Sequence, residues 1–180
     1  FNTALYLERG GNLFARFDVS APFQIGRFKI TDFPRPIRYP VTAAEIFMES
    51  SNIGAIKMAM QIGAAGQRDF FEKLGFFSTP SLEISEIGSP LFPKQWTETT
   101  SKTAAYGYGI SITPLQLVTA IAGIVNDGMM QVPTLLKADI SKSQTGKRVV
   151  SEKTSEIMRK LMYMIVKQGK SKKAQVVGYE

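Results

Sequence analysis

A chain of 180 residues with 44% apolar side chains can enclose one hydrophobic core, or a large part of one, and such a composition does not fit disorder. It contains no cysteine and no histidine. Thiol nucleophiles, zinc–thiolate centres, HExxH metallohydrolases and Ser-His-Asp triads therefore cannot be assembled from its own residues. The net charge of +7 is unevenly placed: residues 1 to 136 carry 11 basic and 11 acidic side chains, and residues 137 to 180 carry 11 basic and 4 acidic ones. With no interleaved aromatics and no nucleic-acid motif, the excess reads as a solvated helix face plus a basic linker, GKSKK, and no nucleic acid is expected as partner.

In chain order, residues 1 to 40 hold short alternating segments, LFARFDV and GRFKITDF, broken by glycines and prolines, and read as strands, hairpins and loops. Thr42 followed by Glu45 forms a capping box, which predicts a helix from Ala43 to about Glu49. The trio Ser50-Ser51-Asn52 interrupts it, since these side chains compete for nearby backbone groups and favour caps and turns. A largely apolar helix is expected from Ile53 to Ile62, stopped by Gly63, and another from Gln67 to Leu74 with Phe70, Phe71 and Leu74 facing inward.

Residues 76 to 105 form a long segment with three prolines and the run TETTSKT, longer than an ordinary connection and so a candidate for function. Thr113, Pro114 and Gln116 then mark a strong helix start, with Leu117, Val118, Ile121, Ile124 and Val125 as the expected buried face. Two strands, PTLLKADI and KRVVS, are expected around the turn SKSQTG. A helix follows from Glu152 to about Gln168, capped by Ser151, with Ile157, Leu161, Met164 and Ile165 on one face. The longest apolar stretch, around LVTAIAGIV, is too short and too interrupted to span a bilayer, and no signal-peptide pattern opens the chain.

Two stretches carry chemistry. Ser50-Ser51-Asn52 sits at the break between two helices, where polar groups on a rigid support can face a cleft, although a plain helix cap would use the same residues. In AYGYG, two glycines around Tyr108 permit close backbone approach, while Tyr106 and Tyr108 offer flat walls with polar tips. Ile112 stands where a dinucleotide fingerprint needs its third glycine.

Taken together, MESSNIGAIKMAMQIG, FFEKLGF and AYGYGISITPLQLVTAIAGIVNDGMMQVPTLLK resemble, in order and spacing, the transpeptidase domain of class B penicillin-binding proteins. ITDFPRP and SPLFPKQW are most similar to its division-specific, septal type. The resemblance implies an α+β fold, an antiparallel sheet flanked by helices with an all-helical lobe. Residues 41 to 128 would supply mainly that lobe and residues 129 to 180 sheet and helix elements of an incomplete domain. It also implies acyl transfer by a serine nucleophile at three converging motifs, S-x-x-K, S-x-N and K-[ST]-G.

By position, Ser50 is the S-x-N serine that relays a proton to the departing amine, and Asn52 is the amide holding the donor peptide and the motif lysine. Ser51, at the variable position, and Tyr106 and Tyr108 would contact substrate. No metal or cofactor is implied. The implied partners are peptidoglycan stem peptides, β-lactams acting on the intact protein, and division-machinery proteins. The implied location is the periplasmic or other extracytoplasmic side of a membrane-anchored parent.

The departures are as informative as the matches. No serine is followed three residues later by lysine, and no Lys-[Ser/Thr]-Gly occurs: Lys102-Thr103 precedes Ala104, and Gln144 precedes Thr145-Gly146. The chain thus reads as an internal piece that lacks the nucleophile and is inactive alone, with exposed apolar surface, an open sheet edge and a tendency to self-associate. A non-catalytic β-lactam sensor of the same fold and, more remotely, a basic nucleic-acid module are the competing readings.

Overall fold

The structure, a computed structural model, describes residues 1–137 and 146–178. Its first element corrects the reading of residues 1 to 40 as strands and loops, because Asn2–Glu8 form helix α1. Phe1 supplies no side-chain cap, and Asn2 through Tyr6 are all buried, so neither a polar start signal nor an amphipathic stripe marks this helix in the sequence. The rest of the segment is extended as expected. Strand β1 (Arg16–Phe17) pairs antiparallel with β4 (Val41–Thr42), and β2 (Phe23–Ile25) forms a hairpin with β3 (Phe28–Ile30).

Helix α2 (Ala43–Glu49) starts at the expected box: the Thr42 N–H donates to Glu45 Oε2 at 2.7 Å, and the Glu45 N–H to Thr42 Oγ1 at 3.2 Å. Helix α3 (Asn52–Ile62) follows after the Ser50-Ser51 break. Helix α4 (Ala64–Lys73) begins three residues before the expected Gln67, because Gly63, at φ 81°, both ends α3 and precedes α4. Its Phe70, Phe71 and the following Leu74 are buried as expected.

The long segment after it is not all irregular. Helix α5 (Glu98–Ala104) lies within it, capped by Thr97, whose Oγ1 accepts from the Thr100 N–H at 3.1 Å. A short, threonine-rich helix has little intrinsic propensity, and packing against α3 and α4 holds it. Upstream, Trp96 is pinned by rings, with centroids 5.8 Å from Phe71 and 5.2 Å from Phe77.

Helix α6 (Pro114–Val125) has the expected capping box but a different inner face. Gln116, Ala120, Gly123 and Ile124 are buried, while Leu117, Val118 and Ile121 are exposed, Val118 by 62%. Two tertiary contacts turn the helix. The Gln116 amide donates to the carbonyls of Gly75 at 2.8 Å and Ser78 at 3.0 Å. Gly123, where a Cβ would lie 2.6 Å from that of Met130, admits strand β5 (Met129–Met130).

Strand β5 pairs with β6 (Lys147–Arg148). The first strand thus lies upstream of the expected PTLLKADI: residues 133–137 are not strand, residues 138–140 lie outside the described residues, and so does the expected turn apart from Gly146. Helix α7 (Glu152–Lys167) is close to its expected span, but its buried line runs through Thr154, Ser155, Met158 and Leu161, with Met164 exposed. Ser155 is tolerated inside because its Oγ accepts from Arg159 Nη1 at 3.1 Å.

Helices combined with short antiparallel pairs make this an α+β fold. Helix α3 is its axis, contacted by α1, α2, α4 and α5, while α7 covers α1, α2 and α6.

A polar contact joins the end of α1 to the start of α7. Glu8 Oε2 accepts from the Ser151 N–H at 2.9 Å and the Ser151 hydroxyl at 3.1 Å, at the start of α7. Partial burial pushes the Glu8 carboxyl up, but the Ser151 N–H and the Thr154 and Ser151 hydroxyls outweigh it and hold the carboxyl below its usual range. A carboxylate depressed in the folded state contributes stability above its unfolded value that is lost as pH falls through the folded one. Glu8→Gln is therefore expected to lower the denaturation midpoint at pH 7 and to differ little from the parent sequence near pH 3. An equal gap at both values would rule out ionisation as the cause.

Candidate functional site

The break between α2 and α3 is built by local geometry. Ser50 ends α2 in the left-handed conformation, φ 52° and ψ 50°, which is uncommon for a residue with a Cβ. The bend lets the Ser50 N–H return to the Phe47 carbonyl at 3.2 Å and the Ser51 N–H to that of Ile46 at 3.0 Å. It leaves the Ser50 side chain exposed.

Ser51 then caps α3. Its Oγ accepts from the Gly54 N–H at 2.9 Å and donates to Asp32 Oδ2 at 3.0 Å, while Asp32 Oδ1 accepts from the Ile53 N–H at 3.1 Å. Both Ser51 and Asp32 are buried. A carboxylate at this point satisfies a backbone donor of the first turn and complements the helix dipole. Gly54 completes the corner, because a Cβ there would collide with the Ile46 side chain of α2.

Asn52 is held from the same loop, its Nδ2 donating to the Thr31 carbonyl at 3.0 Å. That leaves its Oδ1 and second N–H as further hydrogen-bonding groups. On the far side of the loop Lys170 Nζ donates to the Phe33 carbonyl at 3.1 Å and lies 3.7 Å from Glu49. Residues 31–33 thus join the Ser-Ser-Asn turn to the chain beyond α7.

Ser50, Ser51 and Asn52 line a cavity of about 580 Å³, and Ala105, Tyr106 and Gly107, just after α5, belong to the same lining. Met58, Phe71 and Phe76 are among its apolar residues. The Tyr106 hydroxyl is pushed up, first by burial and then by neighbouring Tyr108, so it remains a protonated donor at neutral pH. Tyr108 stands outside this lining, 69% exposed, with its ring 5.3 Å from that of Tyr106.

The structure therefore brings four of the five expected residues, Ser50, Ser51, Asn52 and Tyr106, to one cavity. The Ser51 hydroxyl is engaged by Asp32 and Gly54. Among the described residues, the lining offers hydroxyls, amides and backbone groups but no carboxylate, lysine or arginine side chain. It can orient a peptide and pass a proton, but no side chain in it can serve as a strong base toward a hydroxyl at neutral pH.

Asp32, Thr31, Asn2 and Gln67 escape a reading by motif. ITDF was notable only as part of a resemblance, and nothing local ties Asp32 to a serine 19 residues away. Asn2 and Gln67 enter through a buried network described below.

The sequence model of the penicillin binding protein transpeptidase domain matches residues 17–180. A probable peptidoglycan D,D-transpeptidase FtsI from Caulobacter vibrioides is 31% identical over 163 residues, covering 90% of this chain and 28% of that protein. The peptidoglycan D,D-transpeptidase FtsI of Escherichia coli K12 is 27% identical over 164 residues, 88% of this chain and 27% of that protein. Among solved structures, the apo transpeptidase domain of Burkholderia pseudomallei penicillin-binding protein 3 superposes with a TM-score of 0.90 at 28% identity, over 99% of this chain and 55% of that one. The chain thus spans about a quarter of the length of these curated relatives.

Proposed function

The chain belongs to the penicillin-binding protein transpeptidase domain family, and on that premise we propose that it is the S-x-N part of a septal peptidoglycan D,D-transpeptidase. The observation that supports this reading is the meeting of Ser50 and Asn52 with Tyr106 and Gly107 in one cavity, from segments more than 50 residues apart.

In the parent protein, the serine of S-x-x-K attacks the carbonyl of the penultimate D-alanine of a stem peptide. The tetrahedral oxyanion is held by backbone N–H groups and collapses with loss of the terminal D-alanine. Ser50, exposed on its left-handed bend, relays the proton that the departing amine takes up. Asn52, steadied by the Thr31 carbonyl, uses its free amide atoms on the donor peptide and on the lysine of the nucleophile motif. An acceptor amine then takes the acyl group, and the cross-link forms. Tyr106 provides a wall for the peptide. Ser51 supports the site through Asp32, and Tyr108 reaches substrate only beyond the cavity.

β-Lactams acylate the same serine as mimics of the D-Ala-D-Ala end. The parent works outside the cytoplasmic membrane, anchored in it and assembled with division proteins; no helix among the described residues is itself long and apolar enough to cross a membrane.

Incubation with a fluorescent penicillin tests the assignment. The 180-residue chain, with no S-x-x-K, is expected to remain unlabelled, and its parent reading frame to give a covalent band. A band on the chain itself would contradict the division of labour between motifs. An unlabelled parent would overturn the transpeptidase reading.

A further inference from the structure

Next to the Tyr106 wall lies a second buried polar network, separate from that of Ser51 and Asp32. Gln67 of α4, fully buried, donates through Nε2 to Asn2 Oδ1 at 3.0 Å and to the Ser101 carbonyl at 3.2 Å. Asn2 of α1 donates through Nδ2 to the Ala105 carbonyl at 2.9 Å. The direction of these bonds is fixed at both ends, because the carbonyls of Ser101 and Ala105 can only accept, so Asn2 must turn its own oxygen toward the Gln67 amide.

Ala105 is the C-cap of α5, where helix carbonyls lack partners further along the helix, and the Ser101 carbonyl one turn earlier accepts from Gln67 in addition to the Ala105 N–H at 3.0 Å. Tyr106 and Gly107 of the cavity lining come next in the chain. The network therefore ties the end of α5 to α4 and α1, at the point where the chain leaves the helix to form the wall.

The arrangement is not the cheapest way to fill the space. Gln67 Oε1 is buried without a partner among the described residues, a desolvation penalty that an apolar residue of similar volume would avoid. What glutamine supplies and an apolar residue cannot is a pair of donors aimed at Asn2 and at α5.

We propose that Gln67 is a positioning residue for the substrate cleft, setting the place of the Tyr106–Gly107 wall through Asn2 and the end of α5, and so controlling peptide affinity rather than the acyl-transfer step. Gln67 is not part of the cavity lining, so any effect on a ligand must pass through the lining residues it holds, Asn2 directly and Ala105–Gly107 through Asn2 and the end of α5. The groups of the Ser50–Asn52 corner hang on Asp32 and Thr31 instead. The assignment of a peptide to the cleft rests on the function proposed above, while the mechanical coupling does not.

Two measurements separate these. In the chain itself, Gln67→Met is expected to speed amide hydrogen exchange at Tyr106, Gly107 and Tyr108, whose N–H groups bond to Thr103 and Ala104 carbonyls, by at least about tenfold more than at Ser51. Asn2→Leu, which removes the donor to Ala105, should act on the same amides and serves if the first variant does not fold. Unchanged exchange, or an equal rise in both places, overturns the coupling. In the parent enzyme, Gln67→Met is expected to weaken the pre-covalent binding of a fluorescent penicillin about tenfold, with the acylation rate constant within about threefold of wild type. Unchanged binding with an altered exchange pattern, in a wild type that is acylated, overturns the affinity role. A wild type that is not acylated defeats the transpeptidase reading and leaves the exchange result standing.

Discussion

Asp32→Ala is expected to lower the unfolding free energy of the chain by about 2–4 kcal/mol, because two charge-assisted bonds go and a buried hydroxyl and a buried N–H lose their partner. Those partners are Ser51 Oγ and the Ile53 N–H, both at the start of α3 and both shielded from solvent. Asp32→Asn keeps one acceptor and should cost roughly half as much, since its amide nitrogen cannot accept from the second donor. The double change with Ser51→Ala should fall well short of the sum of the single effects, as expected for side chains in one network. Urea denaturation with the midpoint and slope both fitted gives these numbers. Additive losses, or an Asp32→Ala protein as stable as the parent sequence, would remove Asp32 from the support of the site.

Ser50→Gly separates stability from function. At φ 52° a residue with a Cβ is held in a conformation costing roughly 1–2 kcal/mol, which glycine avoids while losing more entropy on folding. The net change in stability should be within about 1 kcal/mol of zero, and Ser50→Ala, with its Cβ retained, should be no more stable than Ser50→Gly. In the parent enzyme the loss of the relaying hydroxyl is expected to slow turnover about 10²–10⁴-fold, the usual range for a positioned proton-transfer group. Single-turnover acylation by a penicillin, beside thermal melts of the same variants, makes the comparison. A glycine variant with wild-type turnover would return Ser50 to the status of a helix terminus.

These two neighbours show how far a motif carries. The Ser50-Ser51-Asn52 turn stands out in the sequence because three short polar side chains interrupt apolar helix, and the capping rule already assigns one of them to the start of α3. It does not say which serine points out. The structure divides them through the left-handed bend, which exposes Ser50 and buries Ser51 against Asp32.

The helix starts at Thr42, Thr113 and Ser151 were legible for a related reason. Each is a bond between groups three residues apart, so both partners sit in the same short window of sequence. Helices α1 and α5 were not legible, since α1 is buried along most of its length and α5 is rich in threonine. The face of α6 misled because Leu117, Val118 and Ile121 are the obvious apolar stripe, whereas the interior takes Gln116 and Gly123.

The sequence by itself determined the excluded chemistries, the local caps, the family resemblance and the candidate pair Ser50 and Asn52, all of which depend on residue identity or near-neighbour spacing. Tertiary structure alone decided which faces are buried, which serine is exposed, and that Asp32 bonds to the Ser51 corner and Gln67 to Asn2 and the end of α5. These are pairings across 19 to 65 residues of chain. Their formation depends on burial that withholds water from polar groups and compels each to find a protein partner, and that condition arises only when distant segments pack together.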